Sequence, residues 1–455
     1  KKNSGKDKKN KAGCPKQFES KELIKSKDFT VRGYVWSPDG TQIMFNHQPN
    51  PLINSSFKSD ISVYNLKSKK ITSLVKNPSY DGAICWSPDG KSVLYSSDLD
   101  NTTSNYYTNS KVFVMDIASK KSRQIATNID ENIYSLVWNK AGIFGRGFQK
   151  TKLYAYSINP KSGKATKIDL KFDRITSISF TPNGQNLAFM AENNGQLAEI
   201  YSTAFKKLKP KKLTNFAATI QHWKVSKPEV ISWKSKDGAT IEGILHKPMN
   251  FNPNKKYPLL IAIHGGPTGI SLPRPTPSYV YPILQWLNKG ALVLQPNYRG
   301  SAGYGEKFRS LNVKNLGVGD AWDVISGADY LIKKGMVDAN KMGVMGWSQG
   351  GYISAYLTTT SKKFKAVSVG AGISNWMTYY VNTDIHPFTR QYLKATPWQD
   401  KKIYEKTSPM TFIKQASTPT LIQHGQFDRR VPVANAYELY QGLQDVGVKS
   451  KLIIY

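Results

Sequence analysis

Short alternating stretches fill the first half of the chain and unbroken apolar runs fill the second. Ile61-Ser62-Val63-Tyr64, Val112-Phe113-Val114-Met115 and Leu153-Tyr154-Ala155-Tyr156 have the pattern of strands with one buried face. Turn pairs punctuate them: Asp39-Gly40, Asp89-Gly90 and Asn183-Gly184 supply the positive φ that tight hairpins need. Trp36-Ser37-Pro38-Asp39-Gly40 recurs as Trp86-Ser87-Pro88-Asp89-Gly90. Looser copies follow at Trp138-Asn139-Lys140-Ala141-Gly142 and Phe180-Thr181-Pro182-Asn183-Gly184, so the intervals are 50, 52 and 42 residues. Each copy precedes an apolar strand, an alternating strand, a basic turn and a short closing strand. Four strands per unit and four units predict a partial β-propeller over residues 28–228, with the leading Trp or Phe packed between blades. A plain β-sandwich is the competing reading. His47 and His222 fall in expected loops without partners, and no catalytic pattern stands out in this half. The propeller reads as a scaffold that screens or gates a site.

From Glu229 to the end at Tyr455 the pattern changes. A hairpin turning at Asp237-Gly238 leads into Tyr257–Ile263, a continuous apolar run of the kind buried on both faces of a parallel sheet. Ala291–Leu294, Lys341–Met345, Ala366–Val369, Thr420–Gln423 and Lys451–Tyr455 are further strands, with helices expected over residues 320–334 and 434–446. Strands alternating with helices predict an α/β-hydrolase domain with a doubly wound, mostly parallel sheet over residues 229–455. Ligands of such sheets lie beyond the carboxyl ends of the strands.

The candidate chemistry gathers at those ends. Gly346-Trp347-Ser348-Gln349-Gly350 is a G-x-S-x-G sequence between an expected strand and helix, the setting of a nucleophile elbow with Ser348 at its tip. Alone, the pattern occurs by chance about 0.15 times in a chain of this length. The neighbouring segments raise it. His264-Gly265-Gly266-Pro267 ends the first buried strand, so the backbone N–H groups of Gly266 and Gln349 are the expected oxyanion hole. The loop His424–Pro432 offers Asp428 as the acid that orients a base, in preference to Asp384, which follows no apolar strand. The order in this fold is Ser, Asp, His, yet none of the six histidines lies beyond Asp428. The general base is therefore expected beyond Tyr455.

Charge and cysteine content change the picture little. Lys and Arg outnumber Asp and Glu by 64 to 31, a formal +33. The lysines sit singly or in pairs at expected turns, which reads as a solvated basic surface without specific nucleic-acid binding. Residues 1–27, with ten lysines and three acids, read as a disordered or loop segment. Two cysteines, Cys14 and Cys85, support neither a disulfide framework nor a metal site, leaving one bridge between them open. No apolar run reaches the length of a membrane span, and no metal or organic cofactor is implied.

Together these segments resemble the prolyl oligopeptidase family of serine peptidases. The likeness covers nearly all of residues 28–455 and rests on His264–Pro267, Asn297-Tyr298-Arg299-Gly300-Ser301, Gly346–Tyr352, Gly425–Pro432 and the Trp-Ser-Pro-Asp-Gly blades. The dipeptidyl peptidase IV branch has a tyrosine oxyanion donor where this chain has His264, so the resemblance points to the acylaminoacyl-peptidase and dipeptidyl-peptidase V branch. It implies hydrolysis of short or N-blocked peptides through an acyl-enzyme. It also implies a hydrophobic pocket at Ile373, Trp376, Tyr379 and Val431. The family has more than four blades and a catalytic His shortly after the last strand seen here, so the resemblance implies a fragment shortened at each end. A carboxylesterase on the same fold and a catalytically incomplete propeller binding protein are the alternatives. Compartment (cytoplasmic or exported) and homo-oligomer formation are left open.

Overall fold

The computed structural model describes residues 20–99, 106–223, 227–275 and 280–455. Cys14 and most of the basic leading segment lie outside them.

Four antiparallel units follow one another. The first contains β1 (Thr30–Trp36), β2 (Gln42–Gln48), β3 (Asp60–Asn65) and β4 (Ile71–Val75). The second contains β5 (Asp81–Trp86), β6 (Ser92–Ser97), β7 (Lys111–Asp116) and β8 (Ser122–Ile125). The third is β9 (Ile133–Asn139), β10 (Gly142–Gln149), β11 (Lys152–Ile158) and β12 (Ala165–Lys167). The fourth is β13 (Arg174–Phe180), β14 (Asn186–Glu192), β15 (Glu199–Ala204) and β16 (Lys207–Lys212). These are propeller blades, not the layers of a sandwich.

The repeated motif works as a folded unit. Ser37 Oγ donates to Asp39 Oδ1 at 2.6 Å, Thr41 N donates to the same oxygen at 3.1 Å, and Gln42 N donates to Ser37 Oγ at 2.9 Å. Ser87, Asp89 and Ser92 repeat these bonds at 2.6 and 2.9 Å, and Thr181, Asn183 and Asn186 at 2.7 and 3.1 Å. These bonds hold the carboxyls of Asp39 and Asp89 below the usual carboxylate range. Trp86 packs between blades, its Nε1–H reaching Val35 O at 3.2 Å, and Phe180 packs tilted against Phe144 with ring centres 4.1 Å apart. Trp36 does not follow the expectation: it is 49% exposed. His47 is corrected too. It lies in β2, bonded through Nε2 to Ser62 Oγ at 2.8 Å, with Phe29 and Phe45 against its ring. His222 is exposed, in a turn.

The second half is one mixed sheet of eight strands: β17 (Glu229–Lys234), β18 (Thr240–His246), β19 (Tyr257–Ile263), β20 (Leu292–Asn297), β21 (Val337–Trp347), β22 (Ala366–Gly370), β23 (Thr420–His424) and β24 (Ser450–Ile454). Their spatial order is β17-β18-β20-β19-β21-β22-β23-β24, and β18 alone runs against the rest. The eight helices are α1 (Ile283–Asn288), α2 (Gly305–Ser310), α3 (Gly319–Lys333), α4 (Gln349–Thr360), α5 (Trp376–Asn382), α6 (His386–Leu393), α7 (Lys401–Thr407) and α8 (Ala434–Asp445), counted among the described residues. Leu259–Ile263 is buried throughout, which explains its unbroken apolar run. Helices α3, α4 and α8 pack on the sheet in the largest apolar cluster of the molecule.

The two halves meet along one face of the propeller. Among the described residues, the contacts there come from loops joining the second strand of a blade to the third or one blade to the next, and from strand ends beside those loops, such as Arg174 and Glu192. Arg309, from α2, is buried against Glu131 and donates through Nη1 to Asn109 Oδ1 at 2.9 Å. Glu131 Oε2 accepts from Gly303 N at 2.5 Å, and Lys150 N donates to Gly303 O at 2.6 Å. Buried Arg174 and half-exposed Arg274 share Glu192 Oε1, at 2.8 and 3.0 Å. Tyr106 sets its ring edge on Phe388 at 4.9 Å.

Candidate active site

The loops that carry the expected chemistry all leave the carboxyl edge of the sheet: residues 264–267 after β19, 298–301 after β20, Ser348 after β21 and 425–432 after β23. Ser348 is half-buried with φ +59° and ψ −120°, a conformation costly for any residue with a Cβ. It persists because the surroundings fix both neighbouring peptides. Ser348 N donates to Gly370 O at 2.9 Å, and Tyr352 N donates to Ser348 O at 2.9 Å. The flanking glycines are required by close approach. A Cβ on Gly346 would collide with Gly350, one on Gly350 with Ile263 O, and one on Gly351 with Gly370 O. Strand, strained serine and helix thus have the backbone geometry of a nucleophile elbow.

Gly265 lies directly against the serine: a Cβ placed on it would stand 3.3 Å from Ser348 Cβ and 3.9 Å from Oγ. Gly266 has φ +143°, in the region that favours glycine. Gln349 is the first residue of α4, so its N–H has no carbonyl within the helix to bond. The structure therefore brings Ser348, Gln349 and the Gly265-Gly266 pair together.

Asp428 sits two strands over from Ser348, with β22 between, leaving room for a base. Its Oδ1 accepts from Arg430 N at 2.8 Å and Val431 N at 3.0 Å, while among the described residues no donor reaches Oδ2. Asp384 braces this loop from the side, pairing with Arg430 Nε at 3.0 Å and donating its N–H to Arg429 O at 3.1 Å. The histidines near the sheet are committed elsewhere. His424 bonds Val431 O at 2.6 Å, His246 bonds Gln295 at 2.9 Å, and His264 bonds Gly265 O and Ser301. His386 opens α6, beside Tyr380. Tyr455 continues β24 alongside the acid loop, its N–H on His424 O and its carbonyl accepting from Gln426 N, both at 3.0 Å.

Ile373, Trp376, Tyr379 and Val431 are all buried in the main apolar cluster. Trp376 lies edge-on to Tyr379 at 5.3 Å and stacked with Phe388 at 6.2 Å. None of them lines the cavity of about 430 Å³ beside the elbow, which is walled by Tyr281, Trp347, Gly370, Gln423 and Tyr455. The larger cavity, about 730 Å³, lies among propeller loops, with Tyr80, Tyr106 and Tyr134 on its walls.

Two residues escaped the sequence reasoning. Tyr281 Oη donates to Ile263 O at 2.7 Å and accepts from Trp347 N at 3.2 Å, tying the ends of β19 and β21 together; burial pushes its hydroxyl up to about 12. Asp320, in the first turn of α3, is fully buried behind the elbow with Oδ2 3.4 Å from Gln349 Nε2. A strand-end tyrosine and a helical aspartate are both common, so neither announces a role in sequence. Among the described residues, no group of His, Cys, Asp and Glu could hold a metal ion, and no helix is long and apolar enough to cross a membrane.

Comparisons with known proteins agree with this geometry. The profile described as "Prolyl oligopeptidase family" matches residues 278–455, and one described as "Eukaryotic translation initiation factor eIF2A" matches residues 79–233, a stretch made mostly of blades here. The chain is 29% identical over 324 residues to the uncharacterized peptidase YuxL of Bacillus subtilis, covering 70% of this chain and 48% of that protein. It is 26% identical over 447 residues to dipeptidyl-peptidase 5 of Porphyromonas gingivalis, covering 93% of this chain and 63% of that one. In structure it is similar to the acylaminoacyl peptidase of Pyrococcus horikoshii, with a TM-score of 0.78 and 24% identity over 93% of this chain and 65% of that one. This chain thus spans less than two thirds of the length of these relatives. With the loops after β19, β21 and β23 at one edge of an eight-stranded sheet and propeller blades before it, the chain is similar to the prolyl oligopeptidase family, whose model matches residues 278–455.

Proposed function

We propose that the protein is a serine peptidase that cleaves short or N-blocked peptides through an acyl-enzyme on Ser348. The observation that carries this reading is the strained backbone of Ser348, held at φ +59° against Gly265. Ser348 Oγ attacks the scissile carbonyl carbon as a histidine removes its proton, and the carbonyl oxygen becomes an oxyanion. The N–H groups of Gly266 and Gln349 receive that charge, and one such donor is worth about 3–4 kcal/mol in the transition state. The histidine then gives its proton to the leaving amine, and water hydrolyses the ester by the same route.

Asp428 orients the base. Two backbone N–H groups hold its Oδ1, which leaves Oδ2 to accept from imidazole. The base is a histidine whose ring N–H meets Asp428 Oδ2; among the described residues, the histidines near the sheet have other partners. Ile373, Trp376, Tyr379 and Val431, buried in the main apolar cluster, would back the pocket for the residue before the cut bond rather than line the open cavity beside the elbow. The propeller covers the site and favours short substrates. Its relatives named as dipeptidyl and acylaminoacyl peptidases support peptides as the substrate class.

The test is fluorophosphonate labelling of the full-length protein, followed by turnover of N-acylated and free dipeptidyl nitroanilides. Labelling is expected in the native protein and absent in Ser348→Ala. Labelling that survives the substitution would reject Ser348, and hydrolysis of esters alone would turn the reading toward a carboxylesterase.

A further inference from the structure

Two sequence segments that seemed independent, His264–Pro267 and Asn297–Ser301, form one assembly. The Tyr298 ring stacks on the His264 ring at 4.4 Å and 22°, and its hydroxyl donates to His264 O at 3.0 Å. His264 Nε2 lies 3.0 Å from Ser301 Oγ, and Nδ1 lies 2.8 Å from Gly265 O. Ala302 N donates to Gly269 O at 3.1 Å, closing the loop from the other side.

These contacts fix the tautomer. A carbonyl oxygen has no proton to give, so the contact with Gly265 O is a hydrogen bond only when Nδ1 carries the proton. Burial draws the imidazole down to about 4, so it is neutral near pH 7 and has one N–H. Nε2 is then an acceptor facing the Ser301 hydroxyl, whose alternative partner is Tyr298 O at 2.6 Å. With that hydroxyl turned to Nε2 both ring nitrogens are bonded, whereas the opposite tautomer bonds Ser301 but leaves the Nδ1 lone pair against the Gly265 carbonyl oxygen at 2.8 Å.

Gly265 O belongs to the peptide whose other end is Gly266 N–H. In a planar trans peptide the two groups point in opposite directions, so holding the oxygen aims the N–H. Neither glycine has a side chain to stop that plane from swinging.

We propose that His264 is the positioning residue of the oxyanion hole: its Nδ1–H holds the Gly265 carbonyl so that Gly266 N–H faces the charge formed at Ser348. Ser301 and Tyr298 hold the ring, which assigns a purpose to the second segment. The proposal rests on the acyl-enzyme reading of Ser348, and His264 itself touches no reacting atom.

Three substitutions in the full-length protein separate the contacts. His264→Asn keeps an N–H near the Nδ1 position, His264→Gln reaches toward Ser301 only, and His264→Leu reaches neither. With a nitroanilide substrate, the Leu and Gln variants are expected to lose about 10²-fold in kcat, as for loss of one oxyanion donor. KM should change by no more than about two-fold, and Asn should stay within about ten-fold of the native kcat. Affinity for a peptide aldehyde, whose adduct places an oxygen in the hole, should fall in step with kcat/KM. Thermal melts identify any variant that is misfolded. A well-folded Leu variant with native kcat, or an Asn variant as damaged as Leu, would overturn the proposal. Nitrogen-15 chemical shifts of the imidazole, assigned through His264→Asn, need no turnover. They should show protonated Nδ1, and protonation at Nε2 alone would reject the proposal. Absence of any turnover or labelling by the native enzyme would count against the reading of Ser348 instead.

Discussion

Asp320 should make the hydrolase half less stable as the pH rises, and Asp320→Asn should remove that dependence. The carboxyl is fully buried, with Oδ1 accepting from Ala321 N at 2.8 Å and Oδ2 near Gln349 Nε2. Burial raises its pKa from 3.8 to about 7; Asp323 adds to the shift, while Gly317 N–H and the Arg299 guanidinium oppose it. Between these values the folded protein keeps a proton that the unfolded chain has released, so stability falls from about pH 4 to about pH 7 and levels off above. The difference, 7 − 3.8 = 3.2 units at about 1.36 kcal/mol each, comes to about 4 kcal/mol. Asparagine keeps the shape and the acceptor for Ala321 N–H, and the Gln349 amide can turn over to offer its oxygen. Guanidinium unfolding at pH 4.5, 6, 7 and 8 measures the effect, with the transition of each half read separately. The variant should match the native protein within about 1 kcal/mol at pH 4.5 and exceed it by about 4 kcal/mol at pH 8. A gap that stays constant across this range would refute the argument.

Three further outcomes follow from the geometry. Gly350→Ala would drive a methyl group into Ile263 O, so fluorophosphonate labelling should be lost, with a fall in melting temperature of several degrees. Arg309→Met leaves Glu131 buried and unpaired and should cost about 3–5 kcal/mol, whereas adding Glu131→Met should recover part of it, as denaturant unfolding of both variants would reveal. By contrast, Arg430→Ala breaks a pair that is 49% and 31% exposed and should change stability by no more than about 1 kcal/mol in the same assay.

What could be read from the sequence was what local chemistry dictates. The blades were legible because Asp39, Asp89 and Asn183 bond within their own turns, two residues from their partners. The elbow was legible for the same reason, since its glycines and serine are contiguous. The link between His264 and Ser301 spans 37 positions, and that between Glu131 and Arg309 spans 178. No periodicity or turn rule joins such pairs. His47 was misread because one polar residue in a strand resembles a loop residue until Phe29 and Phe45 are placed against it. The expectation of an apolar wall at Trp376 and Tyr379 came from family resemblance, because a buried aromatic in a pocket and one in a core share the same sequence pattern, and both side chains lie in the main apolar cluster.

The short segment from Gly300 to Arg309 carries two tasks that lie close together. At one end Ser301 and Ala302 hold the loop of His264 and Gly269; at the other Gly303 and Arg309 hold Glu131 and Lys150 of the propeller. A single residue, Ala302, separates Ser301 from the first propeller contact at Gly303. This is a common tether with almost no slack. The propeller cannot move off the hydrolase without breaking bonds to Gly303 or pulling on Ser301, so displacement of the propeller and disturbance of the loop of His264 and Gly269 share one mechanical route.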